Sequence, residues 1–377
     1  MIAEQGQNTI FTRVVAICAI VLLALVTGCG RAPDLIGIDN PEIPVASVKE
    51  ATLQKVFLAT TRQPTEVAGA FFSEKRAPEL GLASVQVSVP PNRLPGELRR
   101  PKVLPPDPRK EYAVIDPVRY GTEAAFVRSV NAELARLPAG KRDILFFVHG
   151  YNNTTSDAVL RLAQFVQDSE FEGVPVLFDW ASAASLIRYV YDLNSALIAR
   201  PQVRELGRIL DQTNAEGYDV FAHSMGAFLT MEAMVDQVQR GQLNKTKRLR
   251  SIVLASPDID MDLFRTQIGE IGPETHRLFV LMSQDDGALK FSRRIAGGVP
   301  RVGASNAQEL ADLGVVAIDL SEIEDSASGN HSKFAGSPEV VKILGRGLNR
   351  SRSFDVSERP THLQDMLRGI PITVVFR

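Results

Sequence analysis

The sequence predicts a doubly wound α/β fold, a mostly parallel sheet with helices on both faces. Three observations predict it. Short, largely apolar runs recur at 144–148, 174–178, 218–222, 251–255, 278–282 and 315–318, as strands covered on both faces require. Segments with helical apolar spacing lie between several of them, at 155–167, 186–211 and beyond 226, and strands alternating with helices build a parallel sheet. The runs stop abruptly at small or polar residues, and the carboxyl ends of parallel strands are where such sheets carry their chemistry.

The 377 residues suffice for one large domain with insertions. Apolar and charged fractions of 45% and 23% are ordinary for a globular protein. With Lys+Arg 42 against Asp+Glu 44, the net charge of −2 points away from nucleic acid. The Arg-rich stretch 93–110 also holds Glu97, Asp107 and five prolines, and reads as a solvated loop. Both cysteines, Cys18 and Cys29, lie near the N-terminus, so no disulfide framework is expected in the body. The five histidines show no metal-ligand spacing, and no metal or cofactor is expected.

Residues 1–28 read as a targeting segment. Arg13 precedes an apolar run, 14–26, shorter than the ~20 residues a spanning helix needs. The run ends in Val26-Thr27-Gly28-Cys29, which resembles a bacterial lipoprotein signal. That resemblance implies cleavage before Cys29 and acylation of its sulfur, palmitate being one acyl chain expected. The protein would then sit in the bacterial cell envelope, anchored to a membrane through Cys29. Gly30, not Asp, after the Cys favours the outer membrane. Residues 29–50, rich in Pro, Asp and Gly, read as a tether. The folded domain is expected over 51–345 and a tail over 346–377.

Within the domain, 56–60 suits a strand, and 82–89 alternates as a half-exposed strand does. Residues 90–117 are Pro-rich and irregular, a surface excursion and a candidate lid. A helical pattern covers 121–137. The buried strand 144–148 runs into His149-Gly150-Tyr151, and a helix with Ala158, Leu162 and Phe165 on one face follows, capped by Thr155 or Ser156. Strand 174–178 ends in Asp179-Trp180-Ala181-Ser182. Strand 278–282 ends in Ser283-Gln284-Asp285-Asp286, and a Ser- and Gly-rich loop after 315–318 leads to His331. The apolar run 372–376 reads as a late strand.

The stretch Asp219-Val220-Phe221-Ala222-His223-Ser224-Met225-Gly226 organises the chain. A strand that turns sharply into a helix at a Ser is the nucleophile elbow of α/β-hydrolases, usually G-x-S-x-G. Ala222 replaces the first Gly; the crowded turn demands only a small side chain there. The bland alternative is a Ser that caps a helix. Acyl transfer by Ser224 needs a base, a group that orients it, and donors for the oxyanion. After Ser224 the histidines are His276, His331 and His362. His276 precedes a strand, the wrong end for catalysis, and His362 lies in the polar tail. His331 follows the last strand and is the expected base. Asp286 is the preferred acid, since Leu289, three residues on, packs back as in the usual acid turn. Asp285 is second, and Asp258 and Asp260 are further alternatives. The N–H groups of Tyr151 and Met225 are the expected oxyanion donors, with His149 bracing their loop. Trp180 either lines the pocket or covers the core.

These pieces fall in order with Thr60-Thr61-Arg62, Ser84 to Asn92, Phe147-Val148-His149-Gly150-Tyr151-Asn152, Ser256-Pro257-Asp258-Ile259-Asp260 and Asp286-Gly287-Ala288-Leu289-Lys290-Phe291-Ser292. Together, over roughly 53–335, they resemble a bacterial family of α/β-hydrolases catalogued as a domain of unknown function. The resemblance implies a Ser–Asp–His hydrolase and supports Ser224, Asp286 and His331, with Ala222 normal for the family. One departure is Ala181, where the family pattern more often has Pro after the Trp. The expected activity is cleavage of carboxylic esters, of a small or lipid-like substrate, through an acyl-enzyme and without a cofactor. The alternatives are amide or thioester hydrolysis by the same triad, and a non-catalytic envelope binding protein on this fold.

Overall fold

The structure, a computed structural model, describes residues 31–272, 277–323, 325, 330–349 and 371–376. Residues 1–28, Cys29, His276 and His362 lie outside the described residues. The chain divides into two units, Met1–Pro33 and Asp34–Arg377; the fold below is that of the second, which closes its own core.

Among the described residues the strands are β1 (Thr52–Pro64), β2 (Phe72–Val89), β3 (Ala113–Tyr120), β4 (Asp143–Val148), β5 (Val174–Asp179), β6 (Gly217–His223), β7 (Leu249–Ala255), β8 (Leu278–Met282), β9 (Val316–Asp319) and β10 (Thr373–Val375). They form one sheet in the order β10-β9-β8-β7-β6-β4-β5-β1-β2-β3. From β1 to β9 across the middle of the sheet every pairing is parallel. The β1–β2, β2–β3 and β9–β10 pairings at the two edges are antiparallel. Among the described residues the helices are α1 (Glu123–Leu134), α2 (Thr155–Ser169), α3 (Tyr189–Leu210), α4 (Met225–Gln239), α5 (Met261–Ile271), α6 (Gly287–Ile295), α7 (Ala307–Asp312), α8 (Lys333–Gly336) and α9 (Pro338–Asn349).

The apolar runs explain the layers. In β4, Ile144, Phe146 and Val148 point to one face and Leu145 and Phe147 to the other, as a period of two dictates. The first face packs on α1, α3, α4 and α5 through Phe126, Leu206, Phe228 and Phe264. The second packs on α2, α8 and α9 through Phe165, Phe334 and Leu344. The doubly wound α/β expectation therefore holds. After β5 the chain returns past β4 to place β6 on its other side. That reversal opens a crevice at the carboxyl ends of β4 and β6.

Several boundaries differ from the sequence reading. The expected tether, 29–50, belongs to the folded body from Asp34 onwards. Leu35 is fully buried, and Ile36 N donates to Gly69 O at 2.8 Å while Gly37 N donates to Val114 O at 2.7 Å. The domain edge expected at 345 falls inside α9, and β10 adds to the sheet from within the expected tail. The stretch 82–89 is not half-exposed. It is the end of β2, flanked by β1 and β3, so Ser84 and Ser88 are buried as well. The excursion 90–117 is pinned: Arg93 pairs with Asp168 on α2, Gly96 N donates to Asp168 Oδ2 at 2.8 Å, and Arg100 pairs with Asp157. Its last residues are the start of β3. The cap of α2 is Thr154, in a reciprocal capping box with Asp157, not Thr155 or Ser156.

Candidate active site

Ser224 stands where β6 ends and α4 begins, with φ 55° and ψ −123°. A positive φ is costly for a residue with a Cβ and survives only where the surroundings enforce it. Here its N–H donates to Ala255 O at 2.9 Å, and its carbonyl accepts from Ala227 N at 3.0 Å and Asp258 N at 3.2 Å. Ser224 is 4% exposed, and its hydroxyl makes no hydrogen bond among the described residues. The small flanking residues have clear causes. Ala222 is fully buried in register with Val148. A Cβ at Gly226 would stand 2.3 Å from the carbonyl oxygen of His149.

The loop after β4 presses on this elbow. A Cβ at Gly150 would lie 2.9 Å from Ser224 Cβ and 2.8 Å from His223 Nδ1, so only Gly permits the approach. The backbone N–H groups of Tyr151, in this loop, and Met225, first residue of α4, donate to no partner among the described residues. The loop is braced from below. His149 stacks on Trp180 at 5.1 Å, and Trp180 Nε1 donates to the His149 carbonyl at 2.7 Å. Trp180 is fully buried, so of its two sequence readings the structure gives it the internal one.

Beneath lies a cluster the sequence reading quoted without a role. Arg62, just past the β1–β5 pairing, donates Nε to Asp179 Oδ1 at 2.8 Å, and its other nitrogens donate to Ser182 O and Asn153 O, each at 2.8 Å. Thr60 and Thr155 hydroxyls donate to Asp179 Oδ2 at 3.0 and 2.8 Å. Burial works against the Asp179 charge, but Arg62, His149 and Thr155 outweigh it and hold the carboxyl at about 2. His149 Nε2 lies 3.3 Å from Asp179 Oδ1, too poorly aligned for a hydrogen bond. Nearby, Asp192 accepts from Ser182 Oγ and from Ala183 N at 2.6 Å. Through Arg62 and Ser182 these carboxylates tie the loop at 152–153 to the one at 182–183. In the sequence each stands only as a charge just past an apolar run, 56–59 for Arg62 and 174–178 for Asp179, with nothing local to pair them.

The two later groups come from the ends of β8 and β9. His331 Nδ1 lies 2.7 Å from Asp286 Oδ2, and Asp286 has no exposed surface. The other Asp286 oxygen caps α6, accepting from Leu289 N at 2.9 Å. That fixes the carboxylate before His331 meets it. Asp285 is engaged elsewhere, with Lys333 Nζ at 2.8 Å and Asn330 Nδ2 at 2.9 Å. Lys333, 1% exposed, also donates to Ser283 Oγ and Leu320 O at 2.8 and 2.9 Å, tying the β8 and β9 ends together. Asp258 faces a different set: Tyr189 OH at 2.9 Å, Ser292 Oγ at 2.6 Å and Arg301 at 3.3 Å. Asp260 caps α5 through Asp262 N and Leu263 N.

His223 joins the two halves. It directly precedes Ser224, its Nε2 meets the backbone carbonyl of His331 at 3.1 Å, and the two rings lie 4.7 Å apart. Burial, with the neighbouring His331, drives its pKa well below the ordinary range. Neutral His223 therefore donates Nε2–H to that carbonyl and holds the His331 loop against the elbow. A cavity of about 510 Å³ lined by Phe146, Val203, Met234 and Leu243 opens at the amino ends of the strands instead, away from all these groups.

No curated protein matches the chain. Among solved structures it is similar to the putative cell surface hydrolase from Lactobacillus plantarum WCFS1, with 10% identity, a TM-score of 0.35, and 60% of this chain and 96% of that chain covered. It is also similar to a hyperthermophilic esterase from Pyrobaculum calidifontis, with 12% identity, a TM-score of 0.34 and coverages of 61% and 93%. A third is a fungal esterase from Rhizomucor miehei, with 13% identity, a TM-score of 0.35 and coverages of 85% and 86%. A family model described as alpha/beta hydrolase of unknown function (DUF900) matches residues 123–348, more than half of the chain. The chain belongs to that family of alpha/beta hydrolases.

Proposed function

We propose that this hydrolase cleaves carboxylic esters through a Ser224–His331–Asp286 triad and an acyl-enzyme intermediate. The observation that carries the reading is the His331 imidazole, 2.7 Å from a fully buried Asp286, on a loop bonded to the residue before Ser224. Asp286 accepts Nδ1–H and so leaves Nε2 as the base. His331 takes the Ser224 proton as Oγ attacks the ester carbonyl; this hydrogen bond forms in the substrate complex, a common pattern for catalytic pairs. The N–H groups of Tyr151 and Met225 stabilise the oxyanion. The alcohol leaves with the proton from His331. Water, deprotonated by His331, then releases the acid and restores Ser224. No step requires a cofactor. The acylated Cys29 anchors the enzyme in the bacterial envelope, on the outer membrane; incorporation of labelled palmitate by wild type and its loss in Cys29→Ala test that part of the proposal.

Turnover of short-chain 4-nitrophenyl esters tests the reading. Wild type hydrolyses them, and Ser224→Ala loses at least ~10³-fold in kcat. Equal rates for the two proteins overturn it.

A further inference from the structure

Two surface segments beside the elbow share an unusual composition. The turn and first residues of α3, 186–191, expose Ile187 at 94% and Val190 at 68%, with Arg188 between them. Helix α6 buries Leu289 and Ser292 and turns Lys290, Phe291, Arg293, Arg294 and Ile295 outward, with Phe291 51% exposed. Neither 186–191 nor 287–298 contains an Asp or Glu. The segments are neighbours: Tyr189 OH and Ser292 Oγ are 3.1 Å apart, and both bond Asp258, whose N–H donates to Ser224 O at 3.2 Å. They form one rim beside the candidate active site.

The cations of this rim differ from many others on the surface. Arg136, Arg208 and Arg265 each pair with carboxylates. Arg188, Lys290, Arg293 and Arg294 make no ion pair among the described residues; Arg188 lies over the Tyr191 ring at 4.0 Å, and Arg293 Nε donates to Gly298 O at 2.7 Å. Exposed large apolar side chains grouped in one patch mark an interaction site. Interleaved cations with no carboxylate partner specify what it meets: a negatively charged layer with an apolar layer beneath it. That is the chemistry of an anionic bilayer, whose phosphates take the cations and whose acyl boundary takes Ile187, Val190 and Phe291. An acidic protein would match the cations as well, and binding to vesicles that hold lipid alone separates the two.

We propose that this rim docks the body of the protein on an anionic phospholipid surface, with the Ser224 crevice beside it. The docking does not depend on the catalytic reading, and binding is measured without turnover. The compact unit from Asp34 is mixed with sedimentable vesicles of phosphatidylcholine alone or with phosphatidylglycerol. It sediments with the anionic vesicles and not the neutral ones. Ile187→Ser with Phe291→Ser, and separately Lys290→Gln with Arg294→Gln, each weaken this binding at least ten-fold. Lys245→Gln with Lys247→Gln, at the amino ends of the strands, and Ser224→Ala bind as wild type. Thermal unfolding midpoints equal to wild type show that the variants fold. Failure to sediment with anionic vesicles, equal binding to neutral ones, or wild-type binding by both rim variants overturns the proposal.

Discussion

The His331 imidazole lies 2.7 Å from the Asp286 carboxylate, although 45 residues separate the two in sequence. Asp286→Asn keeps the shape and the cap on α6 but removes the anion that fixes the imidazole tautomer. We expect kcat for ester hydrolysis to fall by ~10³–10⁴-fold, with stability changed by no more than about 1 kcal/mol. Steady-state kinetics and a denaturant curve check both halves. A rate near wild type would remove Asp286 from the mechanism.

Gly150→Ala tests the contact between the two loops. The added methyl would come within 2.9 Å of Ser224 Cβ, so the loop must back away and take Tyr151 N–H with it. A misplaced oxyanion donor is expected to lower kcat by ~10²-fold or more, while KM changes little. Unaltered kcat would show that Tyr151 N–H has no part in the reaction.

Arg62→Met leaves Asp179 buried without its charge partner, which is expected to cost about 3–5 kcal/mol in unfolding free energy. Arg62→Lys rescues only part of this, since an ammonium cannot reproduce the fork that also reaches Ser182 O and Asn153 O. The pH dependence has a definite sign. The folded pKa of Asp179, about 2, lies below its unfolded value of about 3.9. Its contribution, of order 2 kcal/mol, is therefore complete above pH ~4 and lost as pH falls through 2. Urea melts of wild type and Arg62→Met across pH 2–7 read this directly; parallel curves contradict it.

Asp219 has the opposite sign. Burial pushes its carboxyl up to about 6, against the hydrogen bond from Ser251. The folded pKa lies above the unfolded one, so the Asp219 contribution to stability is fully present below pH ~4 and is lost as pH rises through about 6. Asp219→Asn removes the buried charge. It should stabilise the protein at pH 7 by at most about 3 kcal/mol, a gain that disappears near pH 4. No gain at pH 7 would mean that the carboxylate is better compensated than its surroundings indicate.

Much of this site was legible because its residues announce themselves locally. Ser224, Asp286 and His331 each follow an apolar strand, and the order Ser, acid, His needs no tertiary knowledge. The neighbours Asp285 and Asp286 were separable only by preference, since one residue of rotation decides which meets His331 and which meets Lys333. The Arg62–Asp179 pair was not legible: its partners are 117 residues apart, and only the parallel β1–β5 pairing brings them together. The burial of Leu35 likewise depends on contacts that the loose composition of 34–50 does not signal. His223 carries no role in the sequence pattern, and only its bond to the His331 carbonyl gives it a partner.

The most direct measurement of the central claim is covalent labelling by a fluorophosphonate, followed by peptide mapping. One phosphonyl adduct is expected, on Ser224, formed in wild type, strongly slowed in His331→Ala and absent in Ser224→Ala. Wild type that resists the probe, or an adduct that persists in Ser224→Ala, would contradict it.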